Sequence, residues 1–145
     1  METSSETLIV AHGHEKSQKQ RVCKVRSTEQ EQCVVEWSFP GEDQSDKIGN
    51  IDQLAMDEMG RIFVTDQNKG RILLLDRDGK KICEFKTKKL PYRLRYEVEK
   101  KLLLVGHHGA VSVYKWKSVE GQGKYIYLFA LIIFVNANLY RPKHT

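Results

Sequence analysis

Leu54-Ala55-Met56-Asp57, Gly60-Arg61-Ile62-Phe63-Val64-Thr65-Asp66, Arg71-Ile72-Leu73-Leu74-Leu75-Asp76 and Lys81-Ile82-Cys83-Glu84-Phe85-Lys86 are four short runs rich in strand formers. Turn formers separate them. Glu58-Met59-Gly60, Gln67-Asn68-Lys69-Gly70 and Arg77-Asp78-Gly79 each end in a glycine, which tolerates the positive φ that tight turns require. Asp78-Gly79 is a dipeptide favoured in hairpins. The 81–86 run alternates strictly, whereas Leu73-Leu74-Leu75 is continuously apolar, as in a strand buried on both faces. The spacing predicts an antiparallel meander of four strands.

Working outward, the pattern repeats. Shifted by 40 residues, Leu54 falls on Leu94, Met56 on Tyr96, Asp57 on Glu97, Ile62 on Leu102 and Val64 on Leu104. After one deletion, Ile72 falls on Val111 and Leu74 on Val113. Upstream, Leu8–His12, Arg21–Val25 and Cys33–Trp37 match the second, third and fourth strands, with longer loops and no first strand. A period of about 40 residues with four strands is the mark of a propeller blade. The expected fold is therefore all-β: antiparallel four-stranded blades of a β-propeller, about two and a half in number, plus an apolar C-terminal tail. Residues 1–49 read as a partial blade with long loops, 50–90 as a complete blade, and 91–116 as a further partial blade. Residues 117–145 read as a linker followed by an apolar tail. Sixteen uncharged residues lie between Lys124 and Arg141, fewer than the ~20 of a spanning helix. A buried strand, an interfacial segment and a membrane anchor over 125–140 all stay open.

The stretch Leu54–Phe85 resembles the NHL repeat: an apolar start ending in an acid, then Gly60-Arg61-Ile62-Phe63-Val64-Thr65-Asp66, then Asn68 and Arg71-Ile72, then an Asp76…Gly79 turn. Gly106-His107-His108-Gly109-Ala110-Val111-Ser112-Val113-Tyr114 is similar to the last repeat of propellers carried by tripartite-motif proteins. The resemblance implies the substrate-recognition end of such a protein, cut short. It implies a protein or RNA partner, a link to ubiquitination through modules outside this chain, and self-association as one way to complete the propeller.

Composition sets the outer bounds. The chain has 145 residues, 40% of them hydrophobic, so it can bury a core. Lys and Arg number 24 against 19 Asp and Glu, a net charge of +5. The excess is concentrated: residues 80–101 hold nine basic and three acidic side chains. Three cysteines, Cys23, Cys33 and Cys83, are an odd number without a C-x-x-C pair, which argues against a disulfide scaffold or zinc finger. They are expected to be small buried apolar residues. The N-terminal segment carries no secretory pattern, so a cytoplasmic location is expected.

The candidate site is a basic rim. Lys86, Lys88, Lys89 and Arg93 surround Leu90-Pro91-Tyr92 in the connection between two blades. Asn68, Lys69, His107 and His108 are expected in turns at the same end. Clustered cations with an aromatic suit phosphates and base stacking. Neither cofactor nor metal is expected, because His12-Gly13-His14 and His107-His108 lack ligand-type partners and read as exposed loop histidines. Asp57, Asp66 and Asp76 follow the repeat and read as turn caps. Trp37 and Trp116 read as packing residues at strand ends. No Ser-His-Asp set, P-loop or Rossmann fingerprint occurs, so an enzyme is not expected. The enzyme rival is a calcium-dependent lactonase-like propeller, which would need ligands from more blades than this sequence supplies. The other rival is a membrane-associated β-protein.

Overall fold

A computed structural model describes residues 6–13, 20–41, 46–121 and 124–136, with side chains as far as Lys115. The described residues form eleven strands: β1 (Thr7–His12), β2 (Arg21–Ser27), β3 (Cys33–Phe39), β4 (Leu54–Met56), β5 (Ile62–Asp66), β6 (Arg71–Leu75), β7 (Lys81–Lys86), β8 (Pro91–Glu97), β9 (Leu102–His107), β10 (Ala110–Gly121) and β11 (Lys124–Asn136). They make three antiparallel meanders in chain order: β1-β2-β3, β4-β5-β6-β7 and β8-β9-β10-β11.

The three sheets stack face to face, and the alternation of β5 and β6 explains why. Phe63, Ile72 and Leu74 point to one side and meet Leu94, Leu103, Val105 and Tyr114 of the third sheet. Ile62, Val64, Leu73 and Leu75 point to the other side and meet Val22 of the first sheet and Ile48. Every residue of β5 and β6 is buried, which accounts for the apolar runs Ile62-Phe63-Val64 and Ile72-Leu73-Leu74-Leu75. Phe63 stacks on Tyr96 across the second interface, with ring centroids 5.8 Å apart. Gln53 adds a polar tie there, its Oε1 accepting from the Leu94 N–H at 2.8 Å.

Two turns of the middle sheet share one chemistry. Asp57 Oδ1 accepts from the N–H of Met59 and of Arg61, each at 2.9 Å. Asp76 Oδ1 accepts from Asp78 and Lys80, again at 2.9 Å. Gly60 and Gly79 then take positive φ of 77° and 82°. These are side-chain-closed turns, the capping role expected of both aspartates.

The C-terminal boundary differs from the sequence expectation. Lys117–Gly121 is no linker: β10 runs through it, and Gly121 pairs with Lys124 at the start of β11. The third sheet so gains a fourth strand from the apolar tail. Lys117–Gly121 has no apolar alternation of its own. Tyr125–Val135 is rich in aromatic and β-branched residues, and pairing with it gives that backbone its partner. β9 pairs with β10 only as far as Lys115, so the ribbon continues beyond the sheet.

Candidate functional site

Polar order at one end of the stack begins with Arg71. Its Nε donates to Asp66 Oδ2 at 2.8 Å, and its terminal nitrogens donate to Glu84 Oε2 at 2.6 Å, Asp46 Oδ1 at 3.1 Å and the Lys47 carbonyl at 3.0 Å. Asp66 Oδ1 accepts the Gly49 N–H at 3.0 Å. Asp66 is therefore not the turn cap read from the sequence but half of a buried ion pair that clamps the 46–50 segment onto the middle sheet. Hydrogen bonds from Arg71 and then Lys81 hold the Glu84 carboxyl below the usual carboxylate range. Burial pushes Asp46 up, but hydrogen bonds from Lys81 and Arg71 outweigh it and leave that carboxyl lowered too. Gln20, Asn50 and Gln67 extend the order: Gln20 Nε2 donates to Asn50 Oδ1 at 3.4 Å, and Asn50 Nδ2 to Gln67 Oε1 at 2.9 Å. The sequence signal for this network is an acid and an arginine, Asp66 and Arg71, flanking one tight turn.

The basic residues sit beside this frame. The β5–β6 turn carries Asn68 and Lys69, both exposed. The β7–β8 connection is tied to that turn, Thr87 N–H donating to the Gly70 carbonyl at 3.0 Å and Lys86 Nζ to the Lys69 carbonyl at 3.5 Å. Lys69 Nζ donates to the Lys47 carbonyl at 2.5 Å. Lys69 and Lys86 thus meet carbonyl oxygens, and neither has a carboxylate partner among the described residues. Lys88 and Lys89 follow on the same connection, with Lys88 exposed and Lys89 half-buried. Tyr92 is half-buried and is the extra residue where the β8–β9 register slips between Pro91 and Arg93. Such bulges re-aim side chains. Asn68, Lys69, Lys86, Lys88, Lys89 and Tyr92 therefore gather at one end.

Two expected site residues belong elsewhere, and a third stays. His107 is not an exposed loop histidine. It ends β9 at 9% exposure. Its Nδ1 lies 3.1 Å from the Leu90 carbonyl, which can only accept, so Nδ1 carries the proton. Nε2 then accepts from the Ser112 hydroxyl at 2.7 Å. The ring ties β9 to β10 and to the β7–β8 connection rather than facing a ligand. Arg93 is exposed, but alternation against the buried Leu94 turns it to the outward face of the third sheet, opposite Gly106. His108 does lie at the exposed tip of the β9–β10 turn.

Of the remaining expectations, Trp37 packs as expected, over Gly79, with Nε1 donating to the Arg77 carbonyl at 3.0 Å. The side chain of Trp116, and His14, lie outside the described residues. His12 is exposed, with Nε2 3.0 Å from Cys23 Sγ. The cysteines do not share one environment: Cys23 is buried and Cys83 half-buried, whereas Cys33 is exposed. Among the described residues no group of His, Cys, Asp and Glu is placed to hold a metal ion. Likewise no helix is long and apolar enough to cross a membrane, and 124–136 is a strand. A scan against protein-family models finds no match, and a search of curated proteins finds none either.

Proposed function

We propose that this chain is a non-catalytic recognition module, that its three sheets are successive blades of an incomplete NHL-type β-propeller, and that its basic rim binds the phosphates of single-stranded RNA. The blade reading is supported by sequential meanders stacked face to face, with a middle sheet buried on both sides. One observation carries the binding reading: Lys69, Lys86, Lys88 and Lys89 come from two segments bonded to each other, beside Tyr92. The buried Asp66–Arg71 pair fixes the frame beneath them, which lowers the cost of ordering a ligand site.

A single aromatic is few for a stacking platform. This favours backbone over base contacts, and it makes an acidic protein surface the second reading. Fluorescence anisotropy with labelled oligouridine tests the first. Replacing Lys69, Lys86, Lys88 and Lys89 together by glutamate is expected to weaken binding at least ~10-fold and flatten the salt dependence. Since each phosphate contact to a single strand contributes a log–log slope of about −0.7, the parent slope is expected between about −2 and −3. An unchanged affinity in the quadruple variant would remove the rim as the RNA site.

A further inference from the structure

Among the described residues the first sheet has three strands where the other two have four, and β1 is one of its edges. β1 pairs with β2 on one side only among the described residues. Ser27 N–H donates to the Glu6 carbonyl at 3.1 Å, which fixes the alternation. Leu8 and Val10 therefore direct their backbone groups at β2, and Thr7, Ile9 and Ala11 direct theirs at the open side. Beside that edge lies a cavity of about 450 Å³ between β1 and β4. Its walls include Ile9, Leu54, Met56 and Ile62, with Arg77 and Lys24 adding positive charge. Lys24 is paired with Glu36 at 3.4 Å, but Arg77 is exposed and has no carboxylate partner among the described residues. Turns 57–60 and 76–79 flank the cavity, so it is at the end of the stack away from the basic rim.

We infer that this groove binds an extended acidic–apolar segment of a partner protein, which adds to β1 as the fourth strand of the first sheet. The backbone of β1 supplies the hydrogen bonds. The apolar walls take every second side chain, because successive side chains of a strand point to opposite faces. Arg77 sets the preference for a carboxylate. The site is separate from the RNA reading above and does not depend on it.

The probe is the peptide acetyl-Asp-Ile-Thr-Val-Asp-amide, titrated into the full chain and followed by backbone NMR and amide exchange. The outward N–H groups of Thr7 and Ile9 are expected to gain protection, while those of Leu8 and Val10, already bonded to β2, change little. Two N-methylated peptides, blocked at alternate amides, separate strand addition from hydrophobic adhesion: one is expected to lose binding and the other to keep it. Thr7→Pro removes an outward N–H without touching the β1–β2 ladder and is expected to weaken binding. Arg77→Glu is expected to cost about two- to fivefold for this peptide and to favour a version with lysines in place of the aspartates. Equal binding of both methylated peptides would overturn the inference. So would protection appearing along residues 86–89, or no saturable binding at about millimolar peptide, the weak end of specific affinity.

Discussion

The indole of Trp37 lies so close over Gly79 that a Cβ on that glycine would come within 2.4 Å of Trp37 Cδ2. The first sheet therefore rests on a turn of the second through the one residue type that leaves room. Gly79 also holds a φ of 82°. Gly79→Ala is expected to destabilise the protein by at least ~2 kcal/mol, through the clash and the left-handed backbone together. Urea unfolding gives the magnitude, and a displaced Trp37 indole N–H resonance would identify the cause.

Arg71→Met tests the clamp. It leaves the Asp66 carboxylate buried without its cation, bonded to the Gly49 N–H, and breaking such a pair costs about 3 kcal/mol or more. Asp46 and Glu84 add a pH signature. Their folded carboxyls are lowered, so the stability they contribute is present above the ordinary carboxylate pKa of about 4 and is lost as pH falls through the lower folded values. The gap between parent and Arg71→Met in a pH-dependent thermal melt should therefore narrow below about pH 4.

The two adjacent histidines are expected to behave differently. His107→Ala removes the two hydrogen bonds that tie β9 to the Leu90 carbonyl and the Ser112 hydroxyl and leaves a gap where a buried ring stood, at a cost of about 1–3 kcal/mol. His108→Ala, at an exposed turn, should stay within about 0.5 kcal/mol of the parent. Equal losses in denaturant melts would refute the structural role of His107.

Thiol labelling of the native protein should be biphasic. Cys33 is exposed and should react first. Burial pushes the Cys83 thiol up, which lowers its thiolate fraction, and Cys23 is buried. One equivalent of fast reagent consumption is expected, and Cys33→Ser should abolish it.

Lys101 takes a φ of 53° in the β8–β9 turn, a conformation the two related turns of the middle sheet give to glycine. Lys101→Gly is expected to stabilise the protein by about 0.5–1 kcal/mol, the relief of the left-handed strain less the added freedom of the unfolded chain. A lower melting temperature would show that the lysine makes a compensating contact.

The middle sheet was legible because its strands obey local rules: glycine at the turns, aspartate before them, and unbroken apolar residues where both faces are covered. The strand character of Lys117–Gly121 was not, since nothing local marks it and its partner lies beyond Lys124. The same distinction runs through the site. Lysines on a loop announce themselves in sequence, whereas the place of His107 depends on Leu90, in the β7–β8 connection, and on Ser112 after the turn. Arg93 was assigned to the rim by its neighbours in the chain, but the β-strand period turned it to another face. The Arg71 clamp needs Asp46, 25 residues away, and no short-range pattern predicts that.

Strand order also bears on how the protein is made. Each sheet closes from consecutive segments, so a ribosome can deliver one before the next is translated. The middle sheet, however, has two faces to dry. When residues 54–86 have emerged, Phe63, Ile72 and Leu74 still face water, and they do so until Leu94, Leu103 and Val105 follow. The most regular stretch of the sequence thus still waits for a cover after its own strands are complete, and that interval is when a holding chaperone would find the nascent chain.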